Sequence, residues 1–292
     1  MTSTYAAPVL DWYEASARDL PWRQPGTSPW AVLVSEIMLQ QTPVARVLPA
    51  YAAWMARWPT PAALAADTPA EAVRQWDRLG YPRRAVRLHA TARRLVSEHG
   101  GAVPASAQVL TTLPGIGPYT ASAVASFAFG QRHAVLDTNV RRVLARLVTG
   151  AARPSATPSA AERRLAESLL PDEEAVAARW SVAVMELGAL VCTAARPDCG
   201  SCPVAGQCAW RQAGQPASAA RRAQPGYAGS DRECRGRLLA VLRAAGGPVP
   251  VADLDAAWPD PEQRARALTT LIADGLAARR ADGHIGLPGD GG

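Results

Sequence analysis

The sequence predicts an all-α protein that ends in a small domain of three helices and a β-hairpin. Three observations carry that prediction. Apolar residues recur at helical spacing through the first 213 positions, the breaks between them are short and rich in Pro, Gly, Ser or Thr, and no strands alternate with the helices. The helical period is plainest over 47–58, 85–96 and 140–148, and the breaks fall at 24–29, 59–61, 80–82, 100–106, 113–118 and 150–159. At 214–230 the composition shifts to G-Q-P-A-S-A-A-R-R-A-Q-P-G-Y-A-G-S, which reads as a linker. Helical patterns then cover roughly 233–245, 251–257 and 260–274, and Asp282-Gly283 marks a tight turn between two short strands. Residues 231–292 are therefore expected to form a winged-helix-like domain.

Composition narrows the function classes. The 292 residues are 48% hydrophobic, yet no uncharged apolar run approaches the roughly 20 residues that span a bilayer. The sequence opens M-T-S-T-Y-A-A-P-V-L-D-W, with neither a basic start nor an apolar signal core, so the expectation is neither a secreted nor a membrane protein. Basic residues number 31 against 25 acids, and every one of the 31 is arginine. A planar guanidinium suits phosphate, although a codon bias toward Arg, Ala, Pro and Gly explains part of the excess. The absence of lysine has a firmer consequence, because no side-chain amine is available for a Schiff base. The five cysteines are too few for a disulfide scaffold in a chain of this length, which points to a reducing, cytoplasmic compartment.

Four of those cysteines, Cys192, Cys199, Cys202 and Cys208, form C-x6-C-x2-C-x5-C. Four thiolates hold either structural zinc or a 4Fe–4S cluster. A single C-x2-C with longer outer gaps suits one compact cubane, and zinc stays open on spacing alone. The stretch T-L-P-G-I-G-P-Y-T (112–120) is a Pro-Gly turn leading into a helix. Gly115 and Gly117 let backbone approach a phosphate there, though an ordinary helix–helix turn has the same pattern. Glu36 is flanked by Val32, Leu33, Ile37 and Leu39, an apolar setting that raises a carboxyl toward general-acid use. Asp137 stands just ahead of a helical pattern as an N-cap, where backbone N–H groups and the helix dipole are expected to keep it ionised. One carboxyl pushed up and one held down is the pairing that glycosidic hydrolysis uses.

The turn-into-helix motif, the Asp of L-D-T-N-V and the four-cysteine loop together resemble the helix–hairpin–helix DNA glycosylase superfamily that includes endonuclease III. Within it, L-P-W-R (20–23), S-E-I-M-L-Q-Q-T (35–42), R-L-G-Y (78–81) and M-E-L-G-A-L-V-C-T (185–193) resemble the A/G-specific adenine glycosylases of the MutY family. The resemblance covers about residues 10–210. It implies a two-lobed helical fold, with a six-helix barrel over 28–134 and a cluster lobe made of 1–27 plus 135–213. It also implies a 4Fe–4S cluster on the four cysteines.

The site roles that follow from the resemblance are specific. Glu36 would protonate adenine at N7 and Asp137 would stabilise the cationic sugar, with Tyr119 and Asn139 in support. Trp22, Arg23, Leu39, Val44 and Glu186 match positions around the extruded adenine. Gln40, Gln41 and Tyr81 match residues that wedge beside an opposing 8-oxoguanine, and Leu113, Gly115 and Gly117 match the DNA-binding hairpin. Base flipping is required because chemistry at N7 and at the sugar cannot be completed inside the stack. The implied protein is a monofunctional enzyme of base excision repair, a nucleoid-associated cytoplasmic monomer on duplex DNA with A opposite 8-oxoguanine or G.

Two departures from the family pattern stand out. Gly80-Tyr81-Pro82 replaces the usual G-Y-Y, and residues 231–292 are too short for, and unlike, the family's usual lesion-reading C-terminal domain. That segment is expected to add non-specific duplex affinity through Arg235, Arg237, Arg264, Arg266, Arg279 and Arg280. Two rivals remain: a G/T-mismatch thymine glycosylase of the same superfamily, which tends to have arginines where Gln40 and Gln41 stand, and a non-enzymatic iron–sulfur DNA-binding regulator.

Overall fold

The structure is a computed structural model and describes residues 4–217 and 226–291. The central part of the linker expected at 214–230 lies outside the described residues. So does the N-terminal methionine, whose amine is the chain's only primary one.

The elements follow local rules. Helix α1 (Ala6–Ser16) is followed by α2 (Pro29–Leu39) and α3 (Val44–Arg57). Thr60 and Thr68 cap α4 (Pro61–Ala66) and α5 (Pro69–Trp76) by accepting from Ala63 and Glu71 N–H groups, and each helix begins on a proline. Helix α6 (Arg83–His99) ends on left-handed Gly100, and Ser106 caps α7 (Ala107–Leu110). Helix α8 (Pro118–Phe129) starts from Gly117, and α9 (Thr138–Leu144) starts from Asp137, whose side chain accepts from Val140 N–H. A π turn over Ala145–Thr149 completes the expected 140–148 helix. A capping box of Ser159 and Glu162 opens α10 (Ala160–Ser168), and α11 (Glu174–Leu190) and α12 (Ala209–Gln212) follow.

The last 60 or so residues contain the three helices and the hairpin expected there. They form α13 (Asp231–Ala244), α14 (Val251–Asp255), α15 (Pro261–Ala273) and an antiparallel pair, β1 (Ala278–Arg279) with β2 (Ile285–Gly286), turned at left-handed Gly283. Val249 bridges Ile285 as a third strand position.

The chain divides into two compact units: Met1–Val32, Ala105–Thr111 and Ile116–Arg221 form one, and Leu33–Pro104, Thr112–Gly115 and Arg222–Gly292 the other. The core of the first gathers Val9, Val140, Leu144, Trp180, Val184 and Leu187. The second is built on three tryptophans, with Trp54 edge-on to Trp58 at 4.6 Å and to Trp76 at 5.5 Å. These boundaries differ from the expected ones in four places, and residues 28–32 and 105–111 group with the first unit rather than with the expected barrel. Residues 116–134 group with the first unit, where α8 packs on α11. The C-terminal segment groups with residues 33–104, because charged side chains tie it to α5, as Arg74 does to Asp290 at 2.7 Å. Among the described residues no helix is long and apolar enough to cross a membrane.

Candidate active site

In the second unit, everything from Leu33 to Met38 of α2 is buried, and Glu36 is the one ionisable group there, 5% exposed. Leu39 and Gln40 at the end of the helix are half-buried, and Gln41 is exposed with φ +55°. Val44 opens α3. The end of α2 is held by a residue the sequence analysis did not single out. Arg84, 6% exposed, donates to the carbonyls of Ile37 (2.8 Å), Met38 (2.9 Å) and Gln40 (2.7 Å) and to Thr42 Oγ1 (2.9 Å). The same guanidinium donates to Gly80 O at 2.9 Å and lies over the rings of Trp76 (5.1 Å) and Tyr81 (5.5 Å).

One side chain therefore joins the Gln40–Gln41 turn to the Gly80–Tyr81 turn. Burial pushes Arg84 down to about 10, which leaves it charged at neutral pH. Its replacement by Met is expected to strand several buried carbonyls and to cost about 3 kcal/mol or more, read as a lower urea midpoint, with Arg84→Lys recovering part of it.

The Tyr81 turn is exposed. Tyr81 is 57% exposed at φ +47°, and Asp77, four residues earlier, sits at φ +42°. Non-glycine residues in this region are costly and cluster where a site demands them. Trp76 Nε1 donates to Gly80 O at 2.9 Å, and Arg46 donates to Arg78 O. In the same unit Leu113 is buried to 2%, so any contact it offers DNA comes through its backbone. Gly115 requires glycine twice over: its φ is +78°, and a Cβ there would lie 2.9 Å from Arg87 Cβ.

In the first unit Asp137 Oδ1 accepts from Val140 N–H at 2.6 Å, and Oδ2 accepts from Asn139 Nδ2 at 2.8 Å. The expectation that these bonds hold Asp137 at or below its ordinary pKa is corrected. Burial raises it, and outweighs the lowering by Val140, Asn139 and Arg142. Asn139 is itself held, accepting from Arg142 Nη2 at 2.7 Å, while Arg142 donates to Gly188 O (2.6 Å) and Cys192 O (2.7 Å). Helices α9 and α11 approach so closely that a Cβ at Gly188 would lie 2.7 Å from Asn139 Cβ. Tyr119 is half-buried in the first turn of α8, and N-cap Gly117 gives that turn no side-chain cap.

Glu186 is fully buried and its carboxylate is occupied. Arg18 donates through Nε (2.6 Å), Nη2 (2.7 Å) and its backbone N–H (3.1 Å), and Arg23 Nη1 lies 2.9 Å away. Burial opposes ionisation of Glu186, but the Arg18 hydrogen bonds and the Arg23 charge hold it below the usual range. Glu186 thus orients Arg23, next to buried Trp22, within this unit.

The four cysteines, each half-buried, line one cavity together with Arg146 and Trp210. Arg146 Nη1 donates to Cys192 Sγ and Gln215 Nε2 to Cys199 Sγ, each at 3.3 Å. Burial, with Cys192, Cys208 and Cys199 close by, pushes Cys202 up to about 11. Four thiols lining one cavity are a donor set that fits a metal group. Among the described residues no three His, Cys, Asp or Glu are gathered tightly enough for a single ion.

Comparisons with known proteins give the family. Residues 34–171 match the HhH-GPD superfamily of base excision DNA repair proteins. The adenine DNA glycosylase of Mycobacterium tuberculosis is 54% identical over 286 residues, covering 97% of this chain and 93% of that protein. That of Mycolicibacterium smegmatis is 52% identical, over 97% and 96%. The chain belongs to the adenine DNA glycosylase family. A thymine/uracil-DNA glycosylase of Pyrobaculum aerophilum is 36% identical over 68% of this chain and 86% of its own. Among solved structures, a thermostable thymine-DNA glycosylase superposes with TM-score 0.65 at 27% identity, covering 72% of this chain and 95% of that one. An endonuclease III–DNA covalent intermediate gives 0.61 at 23% identity, over 73% and 96%, and supports the fold alone.

Arg18, Arg84, Arg142 and Gly188 escaped the sequence analysis. A signal existed for Arg84, which repeats with Leu88, Thr91 and Leu95 on the buried face of α6. Nothing in the local pattern marks the others, whose partners lie 46 and 168 positions away.

Proposed function

We propose that this protein is a monofunctional adenine DNA glycosylase that removes adenine opposite 8-oxoguanine or guanine, acting as a monomer on duplex DNA in the cytoplasm. The observation that carries this reading is the burial of Glu36, the one carboxyl between Leu33 and Met38 of α2, in a chain whose near-full-length relatives are adenine glycosylases. Glu36 is assigned to deliver a proton to adenine N7. Asp137, fixed by the Val140 and Asn139 bonds, supplies negative charge to the cationic sugar once it is ionised. Trp22, Arg23, Leu39 and Val44 are assigned to the extruded base, with Tyr119 beside the sugar. Gln40, Gln41 and Tyr81 are assigned to the opposite base, and the Gly115–Gly117 hairpin with backbone of Leu113 to phosphate.

Cys192, Cys199, Cys202 and Cys208 would hold a 4Fe–4S cluster, which when bound supplies a structural cross-link for the last described part of the first unit. Replacing Cys202 by Ser is expected to lower bound iron, solubility and duplex affinity together. Iron and sulfide content after anaerobic purification checks this, and stoichiometric zinc without iron would sink it.

Strand cleavage is not part of the proposed activity. A lyase step needs an amine to form a Schiff base, and the chain has no lysine. Its 31 basic side chains are arginines, which do not serve as nucleophiles. The deciding experiment measures base release from duplexes carrying A opposite 8-oxoguanine, A opposite G, and a G·T mispair, with and without alkali, and with borohydride. Adenine release that yields nicks only after alkali, with no trapped complex, supports the reading. Release of thymine in preference to adenine would make it a mismatch thymine glycosylase, release of neither would leave the regulator, and stoichiometric trapping would contradict the monofunctional assignment.

A further inference from the structure

Of the six C-terminal arginines expected to meet phosphate, five have a partner within their own segment, and Arg279 is exposed. Arg235 pairs with Asp274 at 2.6 Å, Arg264 with Asp255 at 2.8 Å, and Arg237 and Arg266 reach Glu233 and Asp231 at 3.6 Å. Arg280 donates to Gly291 O. Arg235 and Arg264 would have to leave a close carboxylate before meeting DNA, whereas Arg237 and Arg266, with side chains 66% and 58% exposed, stay open to solvent.

The segment's outward contacts converge instead on α5 and the turn after it. Asp290, buried at the chain's end, accepts from Arg74 Nη2 at 2.7 and 2.8 Å, and the same nitrogen reaches Ala245 O. Asp274 holds Arg83 at 3.1 Å, two residues past Tyr81. Arg243 of α13 donates to the carbonyl of Asp77, and its guanidinium lies 3.6 Å from the Asp77 carboxylate. Asp77 is the left-handed residue from which the turn to Tyr81 departs, and Tyr81 is left-handed too. Strained backbone of this kind persists only where its surroundings over-determine it. Arg46, Trp76 and Arg84 restrain the turn at Arg78 and Gly80, and Arg243 supplies the restraint at Asp77.

We propose that residues 231–291 brace the Asp77–Tyr81 turn through Arg243, and so set discrimination of the base opposite adenine without gripping the duplex backbone. Arg243 is a positioning residue in this account. The proposal rests on the assignment of Tyr81 to the opposite base.

The test uses the full-length protein with Arg243→Gln, Arg243→Lys and Tyr81→Ala. Adenine release from A·8-oxoguanine and A·G duplexes gives the preference, and binding across a salt series to a duplex with a non-cleavable adenine analogue gives the salt slope. Arg243→Gln is expected to lower the 8-oxoguanine/G preference about fivefold or more, in the direction of Tyr81→Ala, with Arg243→Lys recovering part of it. The salt slope is expected to stay unchanged, whereas loss of one phosphate contact would reduce it by about 0.9. A reduced slope with unchanged preference would overturn the brace in favour of a phosphate grip. Loss of preference in Tyr81→Ala alone would also overturn it. Unchanged preference in Tyr81→Ala would instead overturn the assignment of Tyr81. Should Arg243→Gln melt below the assay temperature, Asp290→Asn loosens the same brace at Arg74 and is judged by the same two measurements.

Discussion

Replacing Glu36 by Gln is expected to slow single-turnover adenine release by about a hundred- to ten-thousandfold, the span attributed to one positioned general acid. The substitution keeps the shape of a side chain buried to 5% among apolar residues of α2, so the helix and its Arg84 clamp persist. Only the transferable proton is removed. Affinity for a duplex carrying A opposite 8-oxoguanine is therefore expected to remain near that of the parent protein. Near-parental release by this variant would mean that the proton reaches the base from another group.

Asp137→Asn is expected to reduce release by about a hundred- to a thousandfold, because the charge facing the developing cation is lost while the amide oxygen still caps α9 through Val140. The structure adds a pH signature. Burial raises Asp137 in the folded protein, so folding favours its protonated form. Its contribution to stability is fully present below the unfolded-state pKa and is lost as pH rises through the raised folded value. Melting temperatures of the parent and Asp137→Asn proteins between pH 4 and 7 check the sign: the parent should lose ground to the variant as pH increases. The activity of the parent should climb in the same direction as long as Glu36 keeps its proton, since only the ionised Asp137 carboxylate serves the sugar. A constant difference in melting temperature across that range would show that burial does not govern Asp137.

The two carboxyls illustrate how far the sequence reaches. Glu36 was legible because desolvation there is a property of its own helix: Leu33, Val34, Ile37 and Met38 are neighbours in the chain as well as in space. The capping role of Asp137 was legible for the same reason, since the bonded N–H belongs to Val140, three residues on. The direction of its titration was not. That depends on how completely distant segments close over it, and the packed structure raises what the local cap alone would lower.

Cysteine spacing, helical period, turn chemistry and the missing lysine are all recorded within short windows of the chain. From them alone came the helical architecture, the helices and hairpin of the C-terminal segment, the four-cysteine spacing and the lack of a lysine that could form a Schiff base. The tertiary structure decided how the buried charges are balanced. Glu186 holds two arginines, Arg84 ties two turns together through carbonyls up to 47 positions away, and Arg142 reaches Cys192 across 50. It also decided that Arg235 and Arg264 face acids of their own segment and that Arg243 faces the Asp77 turn. The physical reason is one of range. Propensity, capping and desolvation along a helix act among near neighbours, whereas a guanidinium takes whichever acceptors the fold brings within about 3 Å, and those acceptors are mostly backbone carbonyls that leave no mark in composition.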